Sequence, residues 1–298
     1  MSATDFKAWA QAGQQHIETV LGQLLEQANV LPQRLHDAMR YAVLGGGKRV
    51  RPLLAFAGGE LSGADPARAA IAGAAVEMIH AYSLVHDDLP CMDDDVLRRG
   101  KPTCHVQYDE PTALLVGDAL QSLAFEVLAK NTLSESPARQ LQIVGVLANA
   151  SGSRGMAGGQ AIDLESVGKV LTVPQLEVMH VHKTGAIIRA ATLMGLLCGG
   201  ETSAGDYQRV DTFARIIGLA FQVIDDVLDV EVSSEDLGKT AGKDADHGKP
   251  TYVSAMGLAE AKAYAEQLRV EAMKHLEPFG QRALRLRQIA DFIVLRRS

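Results

Sequence analysis

Pro66-Ala-Arg-Ala-Ala-Ile-Ala-Gly-Ala-Ala-Val-Glu-Met-Ile-His80-Ala-Tyr-Ser-Leu-Val-His-Asp87-Asp88-Leu-Pro90-Cys-Met-Asp93 reads as one long apolar helix that ends on carboxylates. Asp65 ahead of Pro66 marks the start, a capping acid followed by a proline in the first turn. Pro90 marks the stop, because it lacks an N–H and its ring clashes with the preceding turn. Asp87 and Asp88 should therefore end the helix, and a bulge should carry Asp93 back to them. Asp94 and Asp95 are expected to support this group or to be solvated.

A second cluster closes another helical stretch, Phe221-Gln222-Val-Ile-Asp225-Asp226-Val-Leu-Asp229. Asp225 and Asp229 are four residues apart, so on a helix they share a face about 6 Å apart along the axis, and Gln222 lies on that face too. Alone, this spacing would read as a solvated helix end. The apolar residues on either side of the acids argue against that. Three carboxylates in one place repel one another unless a cation compensates. Two such clusters in an apolar helical setting imply hard cations, most plausibly Mg²⁺. Basic residues follow each cluster: Arg98 and Arg99 after the first, Lys239, Lys243 and Lys249 after the second. Guanidiniums suit phosphate oxygens, so an anion such as a diphosphate would complete the coordination.

Elsewhere Gly45-Gly-Gly-Lys48-Arg49-Val-Arg51-Pro52 is a glycine turn that runs into a helix N-terminus with three cations, a setting that suits an anion. It lacks the spacing of a P-loop. His80 lies two helical turns before Asp87 on roughly the same face. His180, His182 and Lys183-Thr184-Gly185 sit at a helix interruption, and the lysine and threonine can donate to phosphate.

The rest of the chain reads as helix over about 6–28, 33–44, 52–61, 111–130, 137–150, 174–198, 205–229, 257–276 and 281–295, with essentially no sheet. Glu110-Pro111 and Ser136-Pro137 are further helix starts, and the glycines at 152, 155, 158 and 159 are expected to interrupt the middle. The polar stretch from about 230 to 250 is the longest loop and a plausible lid. No linker or repeat divides the 298 residues, so one all-helical domain over 1–298 is expected. Apolar residues make up 47% and charged residues 22%, which is a globular composition. A net charge of −7 with 5% aromatics speaks against nucleic acid and against anionic lipid as partners. Three cysteines, Cys91, Cys104 and Cys198, form neither a metal spacing nor an even framework. The N-terminus lacks the pattern of a signal peptide. A reducing, cytoplasmic setting without stable membrane association is expected.

These motifs resemble the trans-isoprenyl diphosphate synthases over nearly the whole chain. His80 through Thr103 is similar to that family's first aspartate-rich motif and Phe221 through Asp229 to its second. Gly46-Gly-Lys48-Arg-Val-Arg51-Pro, Gly159-Gln160-Ala-Ile-Asp163 and His182-Lys183-Thr184-Gly resemble its remaining signatures, in the family's order. The two extra residues within the first motif are the form seen in bacterial farnesyl diphosphate synthases. After the second motif the family often has Gly-Asp, where this chain has Val232-Ser233.

The resemblance implies an all-α bundle around a deep apolar cavity, usually a homodimer, that condenses isopentenyl diphosphate head to tail with dimethylallyl and geranyl diphosphate. It implies Mg²⁺ as cofactor, about three ions per site, held by Asp87, Asp93 and Asp225 with Asp88, Asp226 and Asp229 in support. Lys48, Arg51, His80 and Arg99 would hold isopentenyl diphosphate. Arg98, Lys183, Thr184, Gln222, Lys239 and Lys249 would contact the allylic diphosphate, with Lys183 also among the catalytic set. Tyr82 and Ser83, on the helix that leads to Asp87, would set product length, the tyrosine as a floor. Other readings are a geranylgeranyl diphosphate synthase, a terpene cyclase, a non-catalytic helical subunit of the same fold, and a phosphohydrolase using His86 and Asp87. The last leaves the second cluster and the Gly-Lys-Arg turn unexplained.

Overall fold

The computed structural model describes residues 3–98, 100–231 and 249–296. Its chain order is α1 (Ala3–Leu24), α2 (Gln33–Val43), α3 (Val50–Ser62), α4 (Pro66–Asp87), β1 (Leu97–Arg98), β2 (Lys101–Pro102), α5 (Cys104–Gln107), α6 (Glu110–Lys130), α7 (Pro137–Ser151), α8 (Met156–Ser166), α9 (Val173–His180), a π turn (Val181–Gly185), α10 (Ala186–Leu197), α11 (Ala204–Glu231), α12 (Tyr252–Met256), α13 (Leu258–Leu276), a 3₁₀ segment (Glu277–Ala283) and α14 (Leu284–Leu295). The all-α expectation holds. The departure from it is β1–β2, a two-residue antiparallel hairpin turning at Gly100.

α4 spans the stretch its sequence marks out. The Asp65 carboxylate accepts from Ala67 N at 2.9 Å, and Pro66 occupies the first turn. Its residues are buried nearly all round, from Ala69 to Ile79, as a helix apolar on every side requires. α3 and α10 lie in contact with it and with each other. Glycines let α3 and α10 approach closely: a Cβ at Gly195 would stand 2.0 Å from the Ala55 carbonyl oxygen, and one at Gly58 2.3 Å from that of Thr192.

Three local expectations need correction. α6 is capped by Asp109, whose carboxylate accepts from Thr112 N at 2.7 Å, and Glu110 is already its first residue. Gly158-Gly159 does not break the chain but lies inside α8. There the glycines serve contact: a Cβ at Gly159 would meet Lys183 N at 2.1 Å, and one at Gly158 the Ser153 carbonyl at 2.0 Å. The expected helix over 6–28 is displaced to Ala3–Leu24. Among the described residues α6 is long and apolar enough to cross a membrane. Ala113, Val116, Leu120 and Ala124 instead bury one face of it, and it packs on α4 and α2.

Candidate active site

α4 and α11 both line a cavity of about 1060 Å³, and each carries an aspartate cluster in its last turns. Tyr82, Ser83 and Asp87 line one wall, and Phe221, Gln222 and Asp225 the other. The first cluster folds back as its sequence suggests: Asp93 N donates to Asp87 O at 2.8 Å, and Asp95 N to Asp88 O at 3.2 Å. Arg98 stays within the cluster, its Nε on Asp88 Oδ1 at 2.6 Å and its Nη2 on Asp95 Oδ2 at 3.3 Å. Asp94 is exposed, with a left-handed backbone at φ 51°.

In the second cluster Asp226 is held from two sides, by Gln222 Nε2 at 2.9 Å and by the backbone N–H of Tyr252 at 2.8 Å. Asp229 is buried one turn further along α11. Asp225 faces the cavity and pairs with Arg296, whose guanidinium lies 4.3 Å from the Phe221 ring centroid. Lysines stand between the walls. Lys249 Nζ reaches Asp93 Oδ1 at 2.9 Å and Asp163 Oδ2 at 3.7 Å, and Lys183 Nζ reaches Asp163 Oδ2 at 2.5 Å. Thr184 donates to Gln222 Oε1 at 2.9 Å. Lys183 and Thr184 sit on the π turn, a feature that re-aims side chains out of α-helical register. Gly159 allows α8 to press against that turn.

Lys48, Arg51 and His80 line the cavity. The Arg51 guanidinium lies over the Phe221 ring, 5.9 Å from its centroid. Arg49, the third cation of the glycine turn, is turned into the core. Tyr82 meets the His86 ring edge-on at 5.7 Å, and a Cβ at Gly117 of α6 would lie 1.9 Å from His86 Nε2. Arg99, Lys239 and Lys243, and most of the expected lid, lie outside the described residues.

The electrostatics are those of a site built for charge. Burial pushes the Asp87 carboxyl up to about 6; Lys183 opposes this and Asp93 reinforces it. Burial likewise takes Asp88 to about 6 despite Arg98. Burial also lowers Lys48, and Arg296 adds to that. Asp163 is the contrast, since Lys183 and Lys249 outweigh its burial and hold it below the usual carboxylate range.

Among the described residues no three His, Cys, Asp or Glu side chains converge as a ready-made metal cluster. Protein cations pair with the aspartates instead: Arg98 with Asp88, Lys249 with Asp93 and Arg296 with Asp225. The donors are all carboxylate oxygens, which suits a hard divalent cation and not a soft one. Gln160, on the cavity wall, has its buried Nε2 without a hydrogen-bond partner. Carboxylates that raise one another and a donor without an acceptor both fit a cation and an anion arriving together.

Sequence reasoning missed Arg296 and Tyr252, and it named Gln160 within the Gly159–Asp163 signature without giving it a role. Arg296 had no spacing to mark it, being near the end of the chain. His180, which the sequence places at the helix interruption, is buried and has neither ring nitrogen hydrogen-bonded, with the Tyr252 ring 5.5 Å away. Burial, with Lys183 adding to it, lowers its pKa from 6.5 to about 4. A lowered base contributes stability that is complete above the unfolded value and is lost as pH falls toward the folded one. His180 should therefore withdraw about 3 kcal/mol at most between pH 6.5 and 4. Urea unfolding at pH 7 and 4.5 should show a smaller loss for His180→Phe than for the parent. An equal loss would contradict a neutral buried imidazole.

The comparisons with known proteins agree with this architecture. The polyprenyl synthetase family profile matches residues 32–280. A farnesyl diphosphate synthase of Haemophilus influenzae is 48% identical over 267 residues, covering 89% of this chain and 89% of its own. A chloroplastic geranylgeranyl pyrophosphate synthase of Capsicum annuum is 47% identical over 267 residues, 89% of this chain and 72% of its own. The structure of a Helicobacter pylori geranyltransferase complexed with magnesium and isoprenyl diphosphate superposes with a TM-score of 0.85 at 32% identity, covering 99% of this chain and 98% of that one. With the family profile matched over most of its length and such relatives along it, the chain belongs to the polyprenyl synthetase family.

Proposed function

We propose that this chain is a Mg²⁺-dependent farnesyl diphosphate synthase, which joins isopentenyl diphosphate to dimethylallyl and then to geranyl diphosphate. The observation that carries this reading is one cavity lined by two helices that each carry an aspartate cluster, with protein cations paired to both clusters. Asp87, Asp93 and Asp225 are the ligands we assign to the metal, with Asp88, Asp226 and Asp229 behind them. Bound there, Mg²⁺ supplies neutralisation of the allylic diphosphate as a leaving group.

Lys183, Lys249 and Arg98 then exchange carboxylate partners for phosphate oxygens, and Thr184 and Gln222 orient the same diphosphate. Lys48, Arg51 and His80 hold isopentenyl diphosphate so that its double bond faces the allylic carbon. The apolar residues between these sites keep water from the allylic cation. The C–O bond breaks, a C–C bond forms, and the proton lost from the isopentenyl unit leaves with the diphosphate. No side-chain nucleophile is needed. Arg99 and Lys239 belong to the same assignment.

The reading takes the chain as a single domain, a cytoplasmic enzyme and a homodimer. Exposed Leu114 and Leu115 on α6 and Leu141 on α7 support the dimer as an apolar face. Geranylgeranyl diphosphate synthase is the second reading, favoured by the near-equal identity of the Capsicum relative. Tyr82 on the cavity wall speaks for the shorter product.

Steady-state kinetics test the two-site assignment. Lys48→Ala or Arg51→Ala should raise the KM for isopentenyl diphosphate about tenfold or more, with the allylic KM little changed. Lys249→Ala should do the reverse, and EDTA should abolish diphosphate release. Equal effects on both substrates would undo the assignment.

A further inference from the structure

Arg49 stands between two residues that face the cavity, yet its own side chain is 2% exposed. It caps α3 with a left-handed backbone, φ 48° and ψ 38°, a conformation unfavourable for any residue with a Cβ. The three glycines before it also have positive φ, at 112°, 90° and 118°. Glycine adopts such angles freely, so the strain of the turn falls on Arg49, and the turn's shape depends on what pins that residue.

Arg49 itself is pinned on three helices. Its Nη1 donates to Glu77 Oε1 on α4 at 2.5 Å. Its Nε and Nη2 donate to Glu18 Oε1 on α1 at 2.8 and 2.5 Å, and Nη2 also to the Val43 carbonyl at the end of α2 at 2.6 Å. Glu18 Oε1 accepts in addition from Gly46 N at 3.1 Å, and Gln14 Nε2 donates to the Lys48 carbonyl at 2.9 Å. Glu77 is one helical turn before His80. The pair thus ties the turn carrying Lys48 to the helix carrying His80.

A buried ion pair adds little net stability, because desolvation cancels much of its attraction. What it supplies is a single geometry. A guanidinium spreads five N–H donors over three nitrogens in a rigid plane, a span that the single nitrogen of an ammonium cannot reproduce.

We infer that Arg49 is a positioning residue for the isopentenyl diphosphate site: through Glu18, Glu77 and the Val43 carbonyl it locks the left-handed turn that aims Lys48 and Arg51 at the substrate's diphosphate. The inference rests on the assignment of that diphosphate to Lys48, Arg51 and His80. It makes Arg49 unlike its neighbours: Arg49 borders the cavity, but its guanidinium is taken up by Glu18, Glu77 and the Val43 carbonyl, so it acts through Lys48 and Arg51.

The test measures KM for both substrates, kcat and the thermal unfolding midpoint in Arg49→Lys, in Glu18→Ala and in the double variant Arg49→Met with Glu77→Gln. The double variant removes the fully buried pair as a unit; Glu18, the remaining partner, is partly exposed and keeps its bond from Gly46 N, so no fully buried charge is stranded. In all three the KM for isopentenyl diphosphate should rise about tenfold to hundredfold, while the allylic KM changes less than about threefold. The double variant should recover the unfolding midpoint lost in Arg49→Lys without recovering KM. An unchanged KM for isopentenyl diphosphate, or an equal rise for both substrates, in a folded double variant overturns the inference. Lys48→Ala, measured alongside, separates the two ideas. If it raises that KM while the Arg49 variants do not, only the positioning role fails. If it too leaves KM unchanged, the substrate assignment fails and the inference with it.

Discussion

Replacing Asp87 or Asp225 by asparagine should lower kcat by about 10²–10³-fold or more with little change in fold. The amide keeps the volume and removes the charge that a metal ion needs. Asp87 carries a second, separable expectation. Its raised pKa, driven by burial and by Asp93 against Lys183, means that the folded protein favours the neutral acid. A raised carboxyl contributes stability that is present below the unfolded pKa and lost as pH rises through about 6. At neutral pH the ionised Asp87 is thus a burden on the metal-free protein. Asp87→Asn should match or exceed the parent in thermal stability in EDTA and should gain less from added Mg²⁺. A variant with near-native turnover at saturating Mg²⁺, or one that unfolds far below the parent in EDTA, would contradict the metal assignment.

Product length should respond to Tyr82 and Ser83. Ser83 precedes Asp87 by four residues, so it lies about 6 Å further from the metal end along α4. Tyr82 lines the same cavity, with its ring edge-on to His86, and His86 in turn is seated where Gly117 leaves room and reaches the Leu114 carbonyl at 3.0 Å. An allylic chain fixed by its diphosphate at the aspartates grows along α4 toward this ring. Tyr82→Ala should open the floor and shift the main product from C15 toward C20. Ser83→Phe should raise it and shorten the product toward C10. Chromatography of the dephosphorylated products reads both; unchanged chain length in both variants would remove Tyr82 as the floor.

The sequence carried most of the fold because its helix signals were local. α4 runs from its proline to Asp87 as the capping acid and Pro90 dictate, and α7 and α11 fall within about two residues of expectation. The errors arose where a residue type has two meanings. Gly158-Gly159 read as a break, but these glycines sit inside α8 because Lys183 and Ser153 come too close for a Cβ. Glu110 looked like the capping acid beside Pro111, while Asp109 one residue earlier holds the cap. The aspartate clusters were legible because repulsion and spacing are visible in a string. Which cation faces which way was not. Lys48, Arg49 and Arg51 are equivalent in sequence and all border the cavity, yet the Arg49 guanidinium is buried in pairs with Glu77 and Glu18. Arg296 reaches Asp225 from 71 residues away, a contact that only the packing of α14 on α11 creates.

The most direct measurement incubates the purified chain with Mg²⁺, isopentenyl diphosphate and dimethylallyl diphosphate and identifies the organic product together with released diphosphate. The account predicts farnesyl diphosphate as the main product, two diphosphates released for each, and no reaction in EDTA. Inorganic phosphate without chain growth, or a main product of C20, would contradict it.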